Sequence, residues 1–256
     1  MLFTDADTRH TPRSVATGLR DAQEHGAALL SYSPKQEVHG LAERALMPLI
    51  FAELAASYRP KDVSDPNSAI AAANGQYLLI RRDAYEQVGG HAAIAHVLLE
   101  DVGLAKLVKR AGYRLYFAYS EAVSTRMYRT ARQLWEGWTR TLALVFANPR
   151  EIAFRRSLEF LGLVAGIWVR LAAGYLAGSV GALVALVVLF FFFRRVRRAH
   201  FDWLSNVLAI FGLPVFAVLL LRSYVSHKRG SVRWKGRTYG TVAPIQEIRE
   251  HGLLNS

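Results

Sequence analysis

The sequence predicts an α/β domain followed by an amphipathic interfacial helix and α-helical membrane segments. Three observations carry that expectation. Residues 1–125 alternate short strand-like runs with amphipathic helical stretches. Residues 158–193 are apolar apart from Glu159 and Arg170. The net charge of +12 is confined to one half: residues 1–125 hold 13 Lys/Arg against 14 Asp/Glu, whereas residues 126–256 hold 19 against 6.

Within the first region, residues 13–25 read as a helix and Ala27–Tyr32 as a strand. A second helix runs from Leu41 to Ser57, with Pro48 expected to interrupt it. A polar loop, Arg59–Ser68, precedes a strand at Tyr77–Ile80. Asp101 is expected to open a helix that Gly112 ends, and Tyr113–Tyr119 forms the last strand.

Four divisions follow: 1–125, the α/β part; 126–153, an interfacial helix and linker; 154–225, membrane-embedded helices; and 226–256, a basic polar tail. In the second, Leu134, Trp138, Leu142 and Val145 recur at helical spacing among Arg132, Glu136 and Arg140. Tryptophan with flanking arginine suits a helix lying in the bilayer interface. A helix packed on the domain surface has the same pattern. Leu171–Phe193 alone is long enough to cross a hydrocarbon core of about 30 Å, although two packed spans turning near Gly174–Gly181 fit equally.

The positive-inside rule favours two crossings before Arg194 and a re-entrant or interfacial 203–221 segment broken at Pro214. That arrangement puts Arg194–Arg198 and Lys228–Arg237 on the cytoplasmic side of a multi-pass inner-membrane protein. Two plain spans, 171–193 and 203–221, are the alternative.

The 52% hydrophobic content and mean hydropathy of +0.14 are high for a soluble protein. With the arginines flanking apolar runs, the partner of the charge is expected to be an anionic lipid surface and not nucleic acid. Cysteine is absent, which excludes disulfides and thiolate metal sites.

Candidate chemistry falls in three places. Asp5 and Asp7 end an apolar strand at i, i+2, a spacing that lets both approach one hard cation such as Mg²⁺ or Mn²⁺. Surface acids have the same pattern. Glu100 and Asp101 stand at a helix start, where a carboxylate either caps free backbone N–H groups or takes a proton from a hydroxyl nucleophile. Between them Asn74-Gly75-Gln76 and Val88-Gly89-Gly90-His91 mark tight backbone, near a ligand or simply in turns.

In order, D-A-D, N-G-Q-Y-L-L-I-R-R-D-A-Y-x-x-V-G-G-H and L-x-E-D-V-G-L-A-x-L-V-K-R-A-G-Y-R resemble the second half of a family-2 glycosyltransferase of GT-A fold. The stretch Arg126–Trp138 and the tail V-R-W-K-G-R-T-Y are similar to membrane glycosyltransferases of hopanoid and carotenoid biosynthesis, and more distantly to ceramide glucosyltransferases. The resemblance implies an inverting enzyme that moves a hexose from a nucleotide-sugar donor to a lipid acceptor, with its catalytic part cytoplasmic. It implies that Asp5 and Asp7 bind a divalent cation on the diphosphate, that Asp101 is the general base supported by Glu100, and that Asn74, Gly75 and Gln76 lie near sugar or acceptor.

Two departures temper this. The Q-x-x-R-W motif of many relatives is replaced by Arg132-Gln133-Leu134-Trp135-Glu136-Gly137-Trp138, leaving Trp138 and Arg140 as loose stand-ins for acceptor contacts. Processive synthesis is therefore not expected. Met1 also falls inside the D-x-D strand, so the nucleotide-binding half is expected to be missing, which leaves a parallel strand without neighbours. An inactive membrane remnant that binds lipid or a partner subunit is the rival expectation.

Overall fold

A computed structural model describes residues 1–95, 97, 99–229, 232–234 and 237–239. The chain forms two compact units, one of Met1–Glu37 with Ala55–Met127, the other of Val38–Leu54 with Tyr128–Ser256.

The first unit is built on a mixed five-stranded sheet. Its strands are β1 (Leu2–Phe3), β2 (Thr8–His10), β3 (Leu29–Gln36), β4 (Leu78–Ile80) and β5 (Leu115–Thr125), in the order β1-β4-β3-β5-β2. Only β3 and β5 run parallel; β1 pairs antiparallel with β4, Leu2 opposite Leu79. The D-x-D strand, expected to be left without neighbours, thus lies at the edge of the sheet with one antiparallel neighbour.

The period of two in a strand splits the apolar residues between the sheet's faces. Leu29, Leu78, Ile80 and Leu115 join Leu104, Ala105 and Val108 of α5 (Glu100–Arg110) in one core, while Leu30, Tyr32, Tyr77 and Leu79 form the other. On that second face α1 (Ser14–Glu24) is tied down by Tyr32, whose hydroxyl donates to Asp21 Oδ2 at 2.5 Å, and by Tyr77, whose hydroxyl donates to the Ser14 carbonyl at 3.0 Å.

Helix α5 carries Glu100 and Asp101 in its first turn and Lys109 and Arg110 in its last, matching the helix dipole at both ends. Gly112, at φ +83°, supplies the left-handed residue that ends it, as expected. The Arg59–Ser68 loop holds a short helix, α3 (Pro60–Ser64), and α4 (Arg82–Gln87) follows β4.

The second unit is helical. Its elements are α2 (Leu41–Ser57, up to Leu54 in this unit), α6 (Ala131–Val145), α7 (Pro149–Ala172), α8 (Tyr175–Val196) and α9 (Trp203–Lys228). Thr130 caps α6 by accepting from the Gln133 N–H at 3.1 Å, and Asp202 caps α9 by accepting from the Ser205 N–H at 3.0 Å.

Two expectations about proline are corrected here. Pro48 does not interrupt α2, and α9 runs unbroken through Pro214. A mid-helix proline costs roughly 3 kcal/mol. Leu46, Met47, Leu49 and Ile50 around Pro48, and Leu213, Phe216 and Ala217 around Pro214, are all buried, and that packing outweighs the local cost.

The long apolar stretch is divided at Ala173–Gly174, giving two packed helices where one span was the alternative. By length and composition α8 and α9 are capable of crossing a membrane. Of the expected basic tail, β6 (Val232–Trp234) pairs antiparallel with β7 (Arg237–Tyr239), and residues 240–256 lie outside the described residues.

Candidate active site

The chemistry-bearing residues of the first unit converge at one end of the sheet. Strand β1 ends at Phe3, and Thr4–Asp7 turn the chain into β2, with the Thr8 N–H donating to the Asp5 carbonyl at 3.2 Å. The Thr4 hydroxyl donates to the Gln76 carbonyl at 2.9 Å, fixing this turn to the loop before β4. His10 Nε2 lies 2.9 Å from the same hydroxyl and its Nδ1 3.2 Å from Ser14 Oγ.

The Asn74–Gln76 loop is tightly specified. The Asn74 N–H donates to Ser31 Oγ at 2.7 Å, and Asn74 Oδ1 accepts from the Gln76 N–H at 3.0 Å, a side-chain-closed turn. Asn74 therefore builds the loop. Gly75 turns its N–H toward Asp101 Oδ2 at 3.0 Å, while Asp101 Oδ1 accepts from the Val102 N–H at 2.8 Å.

A methyl placed on Gly75 would lie 3.8 Å from Asp101 Oδ2 and 4.0 Å from Asp5 Oδ1. The strand-end carboxylate and the helix-start carboxylate, distant in sequence, thus flank one gap that the missing side chain keeps open. Gln76 is buried beside this loop, its Oε1 accepting from Gln36 Nε2 at 3.5 Å.

Electrostatics describe a site with excess negative charge. Burial, then the charges of Asp7 and Glu100, raise the Asp5 carboxyl above its ordinary value. Burial pushes Asp101 up to about 6, opposed by the N–H groups of Val102 and Gly75 and reinforced by Glu100 and Asp5. Among the described residues none of these four carboxylates is held in an ion pair. Nor do three metal-ligating side chains there form a ready-made cage. Two acids on a turn beside an open gap fit a cation that takes one or two carboxylates and fills its shell with water and phosphate oxygens.

Asp101 is not at the N-cap of its helix, although its Oδ1 still satisfies the Val102 N–H of the first turn. Helix α5 begins one residue earlier, and Leu99 occupies the N-cap without a side-chain bond. Asp101 Oδ2 reaches across to Gly75. Glu100, one residue back, is exposed and contributes only its charge, in keeping with neighbouring helical residues pointing apart.

Tyr58 was not legible as a site residue. Burial and the Asp101 carboxylate push its phenol up to about 12, which places it in the field of the candidate base. The V-G-G-H motif works beneath the site: Gly89 and Gly90 have φ of +76° and +53°, and His91 packs edge-on to Phe3 and lies 2.8 Å from the Tyr85 hydroxyl.

Trp138 and Arg140 belong to the helical unit. Trp138 is 4% exposed, wedged between the Phe51 and Tyr128 rings, and its indole N–H finds no partner among the described residues. Arg140 is half-buried.

Comparison with known families places this geometry. A model of glycosyl transferase family 21 matches residues 14–243. The chain belongs to that family, a GT-A-like relative of family 2 that contains the ceramide glucosyltransferases, and is a glycosyltransferase. The match covers Asn74–Gln76, Glu100, Asp101, Trp138 and Arg140 and begins after Asp5 and Asp7. No curated protein and no solved structure matches the chain.

Proposed function

We propose that the protein transfers a hexose from a nucleotide sugar to the hydroxyl of a membrane lipid, with inversion at the sugar carbon. The observation that carries this reading is the gap at Gly75, with Asp101 on one side and Asp5 on the other. An inverting transfer needs a proton acceptor on the acceptor side of the sugar carbon and charge stabilisation on the leaving-group side.

Asp101 would take the proton from the acceptor hydroxyl as its oxygen bonds to the sugar carbon and the bond to the nucleoside diphosphate breaks. The Gly75 and Val102 N–H groups keep the carboxylate aimed, and a carboxyl near 6 is ionised at neutral pH yet basic enough to accept a proton. Asp5 and Asp7 would hold Mg²⁺ or Mn²⁺, which when bound neutralises the departing diphosphate. Glu100 sustains the negative field that draws a cation in. Asn74 and Gln76 would shape the sugar side of the gap. A lipid acceptor and an anionic-lipid surface agree with two helices long and apolar enough to cross a membrane.

Membranes containing the protein, supplied with Mn²⁺ and radiolabelled nucleotide hexoses, test this directly. Label should enter the organic lipid extract from at least one donor, and an Asp101→Asn variant should not transfer it. Label found only as free sugar, or equal transfer by the variant, would overturn the proposal.

A further inference from the structure

By length and composition only α8 and α9 qualify as membrane spans among the described residues, because α7 carries Arg155, Arg156, Glu159 and Arg170. Three features of the helical unit nevertheless suit α7 to a bilayer.

The first is its packing on α8. A two-residue link, Ala173–Gly174, joins α7 to α8, and the helices then meet backbone to backbone. A Cβ on Gly166 would lie 2.9 Å from the Gly181 carbonyl oxygen, and one on Gly181 2.8 Å from the Gly166 carbonyl oxygen. Small residues that admit such approach are how helices associate in lipid, where no hydrophobic force drives them together.

The second is what the pair leaves uncovered. Along α7, Phe154, Leu158, Leu161, Trp168 and Leu171 are exposed, Trp168 at 67% and Leu171 at 77%. From Phe154 to Leu171 that belt is about 26 Å long at 1.5 Å per residue, close to a hydrocarbon core of about 30 Å. Leu183, Leu186 and Phe190 extend it over α8. Apolar surface of this extent in water is far beyond what a monomer exposes.

The third is the treatment of Arg156 and Glu159, the charges of α7 that fall within the belt; Arg155, beside Phe154, and Arg170, beside Leu171, stand at its two ends. Arg156, Glu159, Arg195 and Glu53 of α2 close into a ring. Glu53 Oε1 lies 3.2 Å from Arg156 Nε and 3.0 Å from Arg195 Nη1, and Glu159 Oε2 lies 2.5 Å from Arg156 Nη1 and 2.7 Å from Arg195 Nη2. Each side chain is between 10% and 14% exposed. Two acids and two bases leave no net charge. A lone ionised group at hydrocarbon depth is costly, whereas a closed neutral set is tolerated.

We propose that α7 and α8 cross the bilayer as a two-span hairpin whose exposed faces meet lipid acyl chains. The Ala173–Gly174 turn emerges on one side. Arg150, Arg155, Arg194, Arg197 and Arg198 gather on the other, the cytoplasmic side by the positive-inside rule and suited to anionic headgroups. The Glu53–Arg156–Glu159–Arg195 ring is the neutral plug that lets α7 insert, so insertion draws on α2, far upstream in the chain. This reading is independent of the transfer chemistry.

The absence of cysteine makes single-cysteine labelling unambiguous. Ala173→Cys, Arg155→Cys and Arg198→Cys, each in the full chain, are exposed to a membrane-impermeant maleimide in sealed right-side-out and inside-out vesicles. Arg155→Cys and Arg198→Cys should label only in inside-out vesicles and Ala173→Cys only in right-side-out ones. Labelling of Ala173→Cys from the same face as Arg198→Cys would mean that the hairpin lies on or dips into one leaflet, and the proposal would fall.

The ring is tested by the carbonate-resistant fraction of the protein. Arg195→Leu should lower it several-fold by leaving Glu53 and Glu159 to share Arg156 with a net negative charge, and the Glu159→Leu/Arg195→Leu pair, which leaves Glu53 with Arg156, should restore it. Full insertion of the single variant, or no recovery in the double, would remove the plug from the proposal.

Discussion

Gly75→Ala separates folding from passage through the site. The residue's φ lies outside the left-handed region, so alanine adopts its backbone conformation without strain. The added methyl meets nothing closer than 3.8 Å, an ordinary van der Waals contact, and the N–H that donates to Asp101 is retained. Stability should therefore stay level or rise by about 0.4–1 kcal/mol, because alanine has less chain entropy to lose on folding. The same methyl stands between Asp5 Oδ1 and Asp101 Oδ2 and takes up the space a sugar or acceptor hydroxyl must enter to lie within hydrogen-bonding reach of the base. A displacement of about 1 Å at a reacting centre costs roughly 10²-fold, so transfer to lipid should drop by at least about that factor. The paired measurement is the thermal midpoint of the solubilised protein and the initial rate of labelled-sugar transfer in membranes. A variant that is equally stable and transfers at the native rate would show that substrate does not pass between these carboxylates. A variant that unfolds would refute the packing on which the reasoning stands.

Asp101→Asn should retain a folded protein and lose roughly 10²–10⁴-fold in transfer, the range of general-base catalysis; donor protection from heat inactivation checks that binding survives. With Asp101 near 6 and active only when ionised, the transfer rate should fall about tenfold per pH unit below that value. Its stability effect has the opposite sign. The folded carboxyl is raised from 3.8 to about 6, so it holds its proton where the unfolded chain releases it, and stability should decline by about 3 kcal/mol as pH rises through that window. Denaturation at the two ends of the window, with Asp101→Asn flattening the difference, measures it. Asp7→Asn should leave stability unchanged and raise the Mn²⁺ concentration needed to restore chelator-treated membranes by tenfold or more; turnover that persists in excess chelator would remove the cation from the reaction. Gly181→Leu should force α7 from α8, since its Cβ alone would come within 2.8 Å of the Gly166 carbonyl, and should abolish a monodisperse peak in mild detergent.

Much of this architecture was readable from period and punctuation. The alternation of Leu29 with Leu30, and of Leu78 with Leu79, between two cores is the period-two pattern of a strand buried on both faces. Gly112 ended α5 where its left-handed φ is needed. What misled were residues whose local cost is settled elsewhere. Pro48 and Pro214 read as breaks because sequence shows the lost N–H but not the buried neighbours on either side. The sequence does not fix the turn at Ala173–Gly174, because residues apolar all round give no facing signal. Gly166 and Gly181 pack the two helices together by a backbone contact that no periodicity encodes.

The candidate site shows the same division. Asp5, Asp7, Glu100 and Asp101 were legible as residue types, but their relation to one another was not, because it is made by a residue with no side chain. Gly75 donates its N–H to Asp101 and offers no Cβ to the space beside Asp5. Asn74 and Ser31 are committed to holding that loop, so Asn74 acts on the site through Gly75's position. With α5 starting at Glu100, Asp101 stands inside the first turn and bonds the Val102 N–H with one oxygen and the Gly75 N–H with the other. A one-residue shift in a helix start is within the ordinary uncertainty of reading boundaries from sequence. Here that single residue sets one carboxylate to hold its own helix start with one oxygen and face the gap with the other.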